Sequence, residues 1–98
     1  MDFEWDERKA KENIERHDGI SFKEATLAFY DKWAIEEYDD AHSDLEEKRF
    51  TLIGLAANQL LRVTYTIREN ESIRIISSEK ARPFEERAYI KNRNEYDK

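Results

Sequence analysis

The sequence predicts a small α+β fold: an antiparallel β-meander with two helices before it and one after. Three observations carry this. Between Arg49 and Ala81, three successive segments alternate with period two, each with an apolar face and a face bearing arginine, threonine or serine. Ahead of them, Asp6 and Ser21 each stand at the start of a helix-forming stretch. Beyond them, Arg82-Pro83 opens a last helical segment.

In chain order, Phe3-Glu4-Trp5 reads as a short strand or an apolar anchor. Asp6 suits the cap of a helix over Glu7 to Arg16, accepting from the Lys9 backbone N–H. Ala10 and Ile14 form a thin apolar stripe, with Lys9, Asn13 and His17 along one edge at i, i+4 and i+8. Gly19 ends this unit in a C-cap conformation. Ser21 and Glu24 make a capping box for a second helix reaching about Tyr30, with Phe22, Ala25 and Phe29 on its buried face. Trp33 and Ile35 alternate with Ala34 and Glu36 as a first strand. An acidic loop follows from Asp39 to Glu47, containing His42.

In the next strand Phe50 and Leu52 face one way and Arg49, Thr51 and Ile53 the other. After a hairpin over Ala56–Gln59, Leu61, Val63, Tyr65 and Ile67 oppose Arg62, Thr64, Thr66 and Arg68. A turn over Glu69–Ser72 leads into Ile73–Ala81, where simple alternation groups Ile73, Ile75 and Ser77 against Arg74, Ile76 and Ser78. Matching registers would bring Arg49, Arg62 and Arg74 onto one surface; a one-residue slip would separate them. The final helix is expected to reach about Tyr96 and to bury Ala88, Tyr89 and Ile90.

The chain has 98 residues, which fits one domain. It has no cysteine, so disulfides, thiolate metal sites and a cysteine nucleophile are excluded. Its two histidines, His17 and His42, match no local metal-binding spacing, and the acidic loop lacks the glycine turn of a calcium loop. No metal and no cofactor is expected. No apolar run is long enough to span a membrane and no signal peptide is visible, so a cytoplasmic location without membrane contact is expected. Charged residues make up 41% of the chain and the net charge is −6. That balance argues against nonspecific nucleic-acid binding and suits a basic protein partner, unless the arginines gather in a local basic cleft.

Several motifs, taken in succession, resemble a known family. They are Phe3-Glu4-Trp5-Asp6 with Lys9, Asn13 and His17; Ser21-Phe22 with Glu24-Ala25; Glu47 and Arg49 before Ile53-Gly54; and Ile73-Arg74-Ile75-Ile76-Ser77. The pattern resembles the BrnT toxins, the ribonuclease halves of type II toxin–antitoxin pairs. The resemblance implies a RelE-like fold, an RNA substrate, and a BrnA antitoxin with a DNA-binding ribbon-helix-helix domain. Operator DNA would then be reached only through the antitoxin. The chain departs from the family pattern at Asp18, which separates His17 from Gly19. It departs again at Ser78-Glu79-Lys80, where a small residue and an arginine are usual, and at Arg82-Pro83, where a threonine cap is frequent.

Metal-independent RNA cleavage needs a base for the 2′-hydroxyl, a cation for the charge developing on the phosphate, and an acid for the leaving 5′-oxygen. Arg74 and Arg49 suit the cationic role, because a guanidinium binds two phosphate oxygens at once. His17 suits acid–base work, an imidazole ordinarily titrating near neutrality. Glu47 is a second candidate base and Lys9 a second cation or acid. Arg62, Ser77 and Lys80 are candidate substrate-binding residues. Three of these have a plainer alternative: Arg74 as an arginine covering apolar surface with its stem, His17 as a helix cap, Glu47 as a solvated loop carboxylate or one paired with Arg49. A noncatalytic module of the same fold, acting as antitoxin partner and co-repressor, is the competing reading of the whole chain.

Overall fold

The computed structural model describes residues 1–96. The elements run β1 (Phe3–Glu4), α1 (Glu7–Arg16), α2 (Phe22–Ala25), β2 (Ile35–Asp39), β3 (Arg49–Ala56), β4 (Gln59–Ile67), β5 (Ile73–Lys80) and α3 (Pro83–Tyr96). The helical turn of α2 tightens into a 3-10 segment over Thr26–Tyr30, and a second 3-10 turn covers Asp40–His42. The sheet order is β1-β5-β4-β3-β2. Strands β2 to β5 form the expected antiparallel meander, and β1 adds to β5 in parallel, which makes the sheet mixed.

Local chemistry accounts for the element boundaries. Asp6 caps α1 by accepting from Lys9 N at 3.1 Å, and Ser21 caps α2 by accepting from Glu24 N at 3.0 Å. Asp31 accepts from Trp33 N at 3.0 Å and fixes the turn that delays β2 to Ile35. Glu85 accepts from Arg82 N at 2.8 Å, closing the N-terminus of α3 one turn ahead of itself.

One face of the sheet is the main core. Leu52, Leu61, Val63, Tyr65 and Ile75 are buried there against Ile20, Phe22, Ala25 and Ala28 from the α1–α2 region. Tyr65 is 1% exposed, its ring stacked on Phe50 and edge-on to Phe29, so it is a core residue. The 3-10 segment lies so close to β3 that a Cβ at Gly54 would stand 2.7 Å from the Ala28 carbonyl oxygen. Gly54 is there because only a bare backbone fits.

The other face carries a smaller core, in which α3 covers Ile53 with Ala81 and Tyr89. Of the three α3 residues expected inside, only Tyr89 is buried; Ala88 and Ile90 are exposed. The helix crosses only one end of the sheet, so its contact is a single narrow stripe. In α1 likewise, the buried position is Asn13, while Ile14 is 42% exposed.

Strand β5 departs from simple alternation. Tyr65 pairs with Ile75 but Thr64 pairs with Ser77, so Ile76 is an extra residue, a β-bulge. Beyond it the faces exchange: Ser78 lies on the core face, fully buried, and Ser77 joins Arg74 on the opposite face. The grouping of Ser77 with Ile73 and Ile75 is thereby corrected.

Candidate active site

Directly paired residues share a face, so the registers read out the second face row by row. The first row is Glu4, Arg74, Thr66, Arg49 and Asp39 across all five strands. The second is Ser77, Thr64, Thr51 and Glu37, and the third is Glu79, Arg62, Ile53 and Ile35. The third row runs beneath α3, while Arg49 and Arg74 in the first row remain one-third exposed.

The register therefore places Arg49, Arg62 and Arg74 on one face. Arg49 and Arg74 are the close pair, standing on either side of Thr66 with backbones about 10 Å apart by strand spacing. Thr66 is buried beneath them and donates to the Lys48 carbonyl at 2.6 Å. Arg62 lies four residues away along β4, about 13 Å from that row.

Each arginine of the pair has a carboxylate partner. Arg49 Nε donates to Glu47 Oε1 at 2.9 Å, and Arg74 Nη1 donates to Glu4 Oε2 at 2.9 Å. The Ser72 hydroxyl donates to the other Glu4 oxygen at 2.6 Å. That bond, joined by Arg74 and opposed by partial desolvation, holds the Glu4 carboxyl below the ordinary carboxylate range. A guanidinium has five N–H donors, so each arginine keeps donors for a second anion. Arg74 is tied within the sheet by Glu4, which Ser72 holds in turn. Glu47 sits in the Arg49 ion pair that its plainer reading names.

His17 lies elsewhere. Its backbone N–H caps α1 by donating to the Asn13 carbonyl, so the helix-cap reading holds for its backbone. Its ring reaches β5, with Nδ1 3.6 Å from Glu79 Oε2. Lys9, Ser77 and His17 line one groove between α1 and β5, together with the bulged Ile76. Lys80 and His17 line a neighbouring groove with Arg16 and Arg82. The candidate residues thus fall into an arginine–carboxylate end (Arg49, Glu47, Arg74) and a histidine end (His17, Arg62, Lys80). Lys9 and Ser77 lie beside His17. Arg74 and Glu79 mark the two ends on β5, about 15 Å apart along the strand.

Asn13 sets this arrangement. Its side-chain amide accepts from Ser78 N at 3.0 Å and donates to Ser78 O at 2.8 Å and Ile20 O at 2.9 Å. Glu4, Thr66, Glu79 and Arg82 also belong to the site, although sequence reasoning assigned them no role. The available signal was Glu79, an acid placed among Arg62, Lys80 and Arg82. Among the described residues, no three His, Asp or Glu side chains are grouped to hold a metal ion, and no helix is long and apolar enough to cross a membrane.

Comparison with known proteins agrees with this architecture. No curated protein matches the sequence. Among solved structures, the fold is similar to the 1.1 Å crystal structure of the Brucella abortus ribonuclease toxin BrnT. The TM-score is 0.60 at 21% identity, covering 84% of this chain and 97% of that one. A family model described as the ribonuclease toxin BrnT of type II toxin–antitoxin systems matches residues 5–85. That span runs from Trp5, just after β1, to the start of α3, and contains Lys9, His17, Glu47, Arg49, Arg62, Arg74, Ser77 and Lys80. This chain belongs to the BrnT family of type II toxin–antitoxin ribonuclease toxins.

Proposed function

We propose that this chain is an active, metal-independent RNA endonuclease, neutralised by a BrnA-like ribbon-helix-helix antitoxin that covers part of the arginine-bearing face. The observation that carries the reading is the register that sets Arg49 and Arg74 on either side of Thr66, two forked cations facing the same open surface. A phosphodiester laid across that row meets guanidinium donors from both sides, and these stabilise the charge that develops as the 2′-oxygen attacks. The Glu4 and Glu47 carboxylates hold the forks in place before RNA arrives. Glu47, beside Arg49, is the base within reach of the 2′-hydroxyl, and water protonates the leaving 5′-oxygen. His17, Lys9, Ser77 and Lys80, about 15 Å away along β5, bind neighbouring parts of the RNA strand. Operator DNA is reached through the antitoxin alone, in the cytoplasm.

The second reading, a noncatalytic co-repressor, is favoured by one observation: Arg49, Arg62 and Arg74 are each already paired with a carboxylate. Purified chain incubated with RNA in excess chelator distinguishes the two. Cleavage that leaves 2′,3′-cyclic phosphate ends, together with growth arrest on expression without antitoxin, is the expected result. Intact RNA and unimpeded growth at matched protein levels would leave the co-repressor. Loss of cleavage on chelation, restored by magnesium, would replace the proposed chemistry with a carboxylate–metal mechanism.

A further inference from the structure

Glu79 is shared by a histidine and two arginines: His17 at the end of α1, Arg62 on β4 and Arg82 just ahead of α3. Its Oε2 stands 3.6 Å from His17 Nδ1, and its Oε1 stands 3.7 Å from Arg62 Nη1 and 3.6 Å from Arg82 Nη2. None of these contacts has hydrogen-bond length. The short bonds here belong to Glu85, which accepts from Arg62 Nε at 2.9 Å and from the Arg82 backbone N–H at 2.8 Å. Glu85 is buried and fixes the Arg62 guanidinium and the Arg82 backbone in place. Glu79 is 27% exposed and only balances the positive charge around it.

A carboxylate held at long range by a histidine and two arginines occupies a position that suits a phosphate group. Both are anions, and both present more than one oxygen to a guanidinium fork. Beside it lies an open groove of about 270 Å³ along which Arg16, His17, Lys80 and Arg82 are arranged, Asp18 being the other carboxylate there. Glu79 is one residue from the end of β5, so its side chain can turn to solvent without disturbing the strand pairing.

We propose that Glu79 stands in the place of an RNA phosphate, and that His17, Arg62 and Arg82 form a second phosphate subsite which RNA enters by displacing it. This rests on the ribonuclease reading above. Glu79 is then a built-in competitor that lowers RNA affinity at the histidine end of the site, and Arg82 becomes a substrate-binding residue.

The test compares the purified full chain with Glu79→Gln, a substitution of the same size without the charge. The probe is a short 2′-O-methyl RNA, which cannot be cut by attack of its own 2′-oxygen. Glu79→Gln should bind the probe roughly 3- to 10-fold more tightly at low salt, the range expected from removing weak, partly exposed ion pairs. Its salt dependence should steepen by about 0.7, the increment for one further phosphate contact on a single strand. Arg82→Ala, at an exposed position, should weaken binding and make the salt dependence shallower. Unchanged affinity and salt slope in both variants would overturn the proposal, as would weaker binding by Glu79→Gln. Cleavage of the matching unmodified RNA is read separately. A chain that shows the Glu79 effect but cuts nothing retains the subsite and loses the nuclease reading. A chain that cuts RNA but shows no Glu79 effect does the reverse.

Discussion

The side chain of Asn13 holds the backbone of Ser78 on both sides, accepting from its N–H and donating to its carbonyl as a neighbouring strand would. Strand β1 pairs with β5 only at Ile73 and Arg74, so this amide takes over the pairing farther along the edge. It also ties α1, and therefore His17, to the strand that carries Arg74 and Glu79.

Asn13→Ala removes that clamp and leaves the Ser78 N–H and the Ser78 and Ile20 carbonyls without their partner. Orphaned buried groups of this kind cost about 1–3 kcal/mol each when water cannot reach them. For a chain of this size a melting temperature lowered by on the order of 10–20 °C is expected. A shift of less than a few degrees in a calorimetric scan would show that the clamp contributes little.

Ser78 itself is a position to improve. Its hydroxyl is buried on the core face and, among the described residues, has no hydrogen-bond partner. Ser78→Ala removes the stranded group and keeps the backbone bonds to Asn13, so stability should be unchanged or rise by up to about 1 kcal/mol. A urea midpoint that falls clearly below that of the wild type would mean the hydroxyl is satisfied after all.

For Arg74 the informative pair is lysine against alanine. Lysine keeps the charge but not the fork, so it cannot hold a phosphate bidentately while also bonding Glu4. Both variants should lose RNA cleavage, alanine by on the order of 10²–10³-fold, the usual cost of a preorganised transition-state donor. Growth arrest should weaken in parallel at matched protein levels. Undiminished cleavage by Arg74→Ala would take Arg74 out of the mechanism.

Alkaline pH should unfold the protein through its buried phenols. Burial, and then the hydrogen bond to Asp31, push Tyr89 from 10.0 up to about 12. Burial, and then the bond donated to Glu36, push Tyr65 upward as well. A phenol that stays protonated in the fold while the unfolded chain ionises gives stability in full below pH 10. That stability is lost as pH rises through 10 toward 12. Denaturant midpoints should fall over that window, and Tyr89→Phe should make the fall shallower. Identical slopes for Tyr89→Phe and the wild type would contradict the assignment.

Much of this fold follows from sequence chemistry acting over short range. Asp6 and Ser21 cap their helices through bonds three residues long, and the alternation of β3 and β4 sorts arginine from leucine whatever lies alongside. The family resemblance, carried by motifs spread from Phe3 to Ser77, reached the function class before any contact was known. What the sequence did not settle depends on pairings between distant residues. Parity misplaced Ser77 and Ser78 because a bulge at Ile76 is an event between two strands, and β5 read alone contains no mark of it. Asn13 looked like a polar edge residue of α1 until Ser78, 65 positions away, came within reach of its amide. The ion pairs of Arg74 with Glu4 and of Glu79 with His17 join residues from opposite ends of the chain. Residue types could nominate those side chains, but only tertiary packing could decide which carboxylate each cation would meet. Charge attraction has no sequence register, and the geometry that selects a partner is set by the sheet.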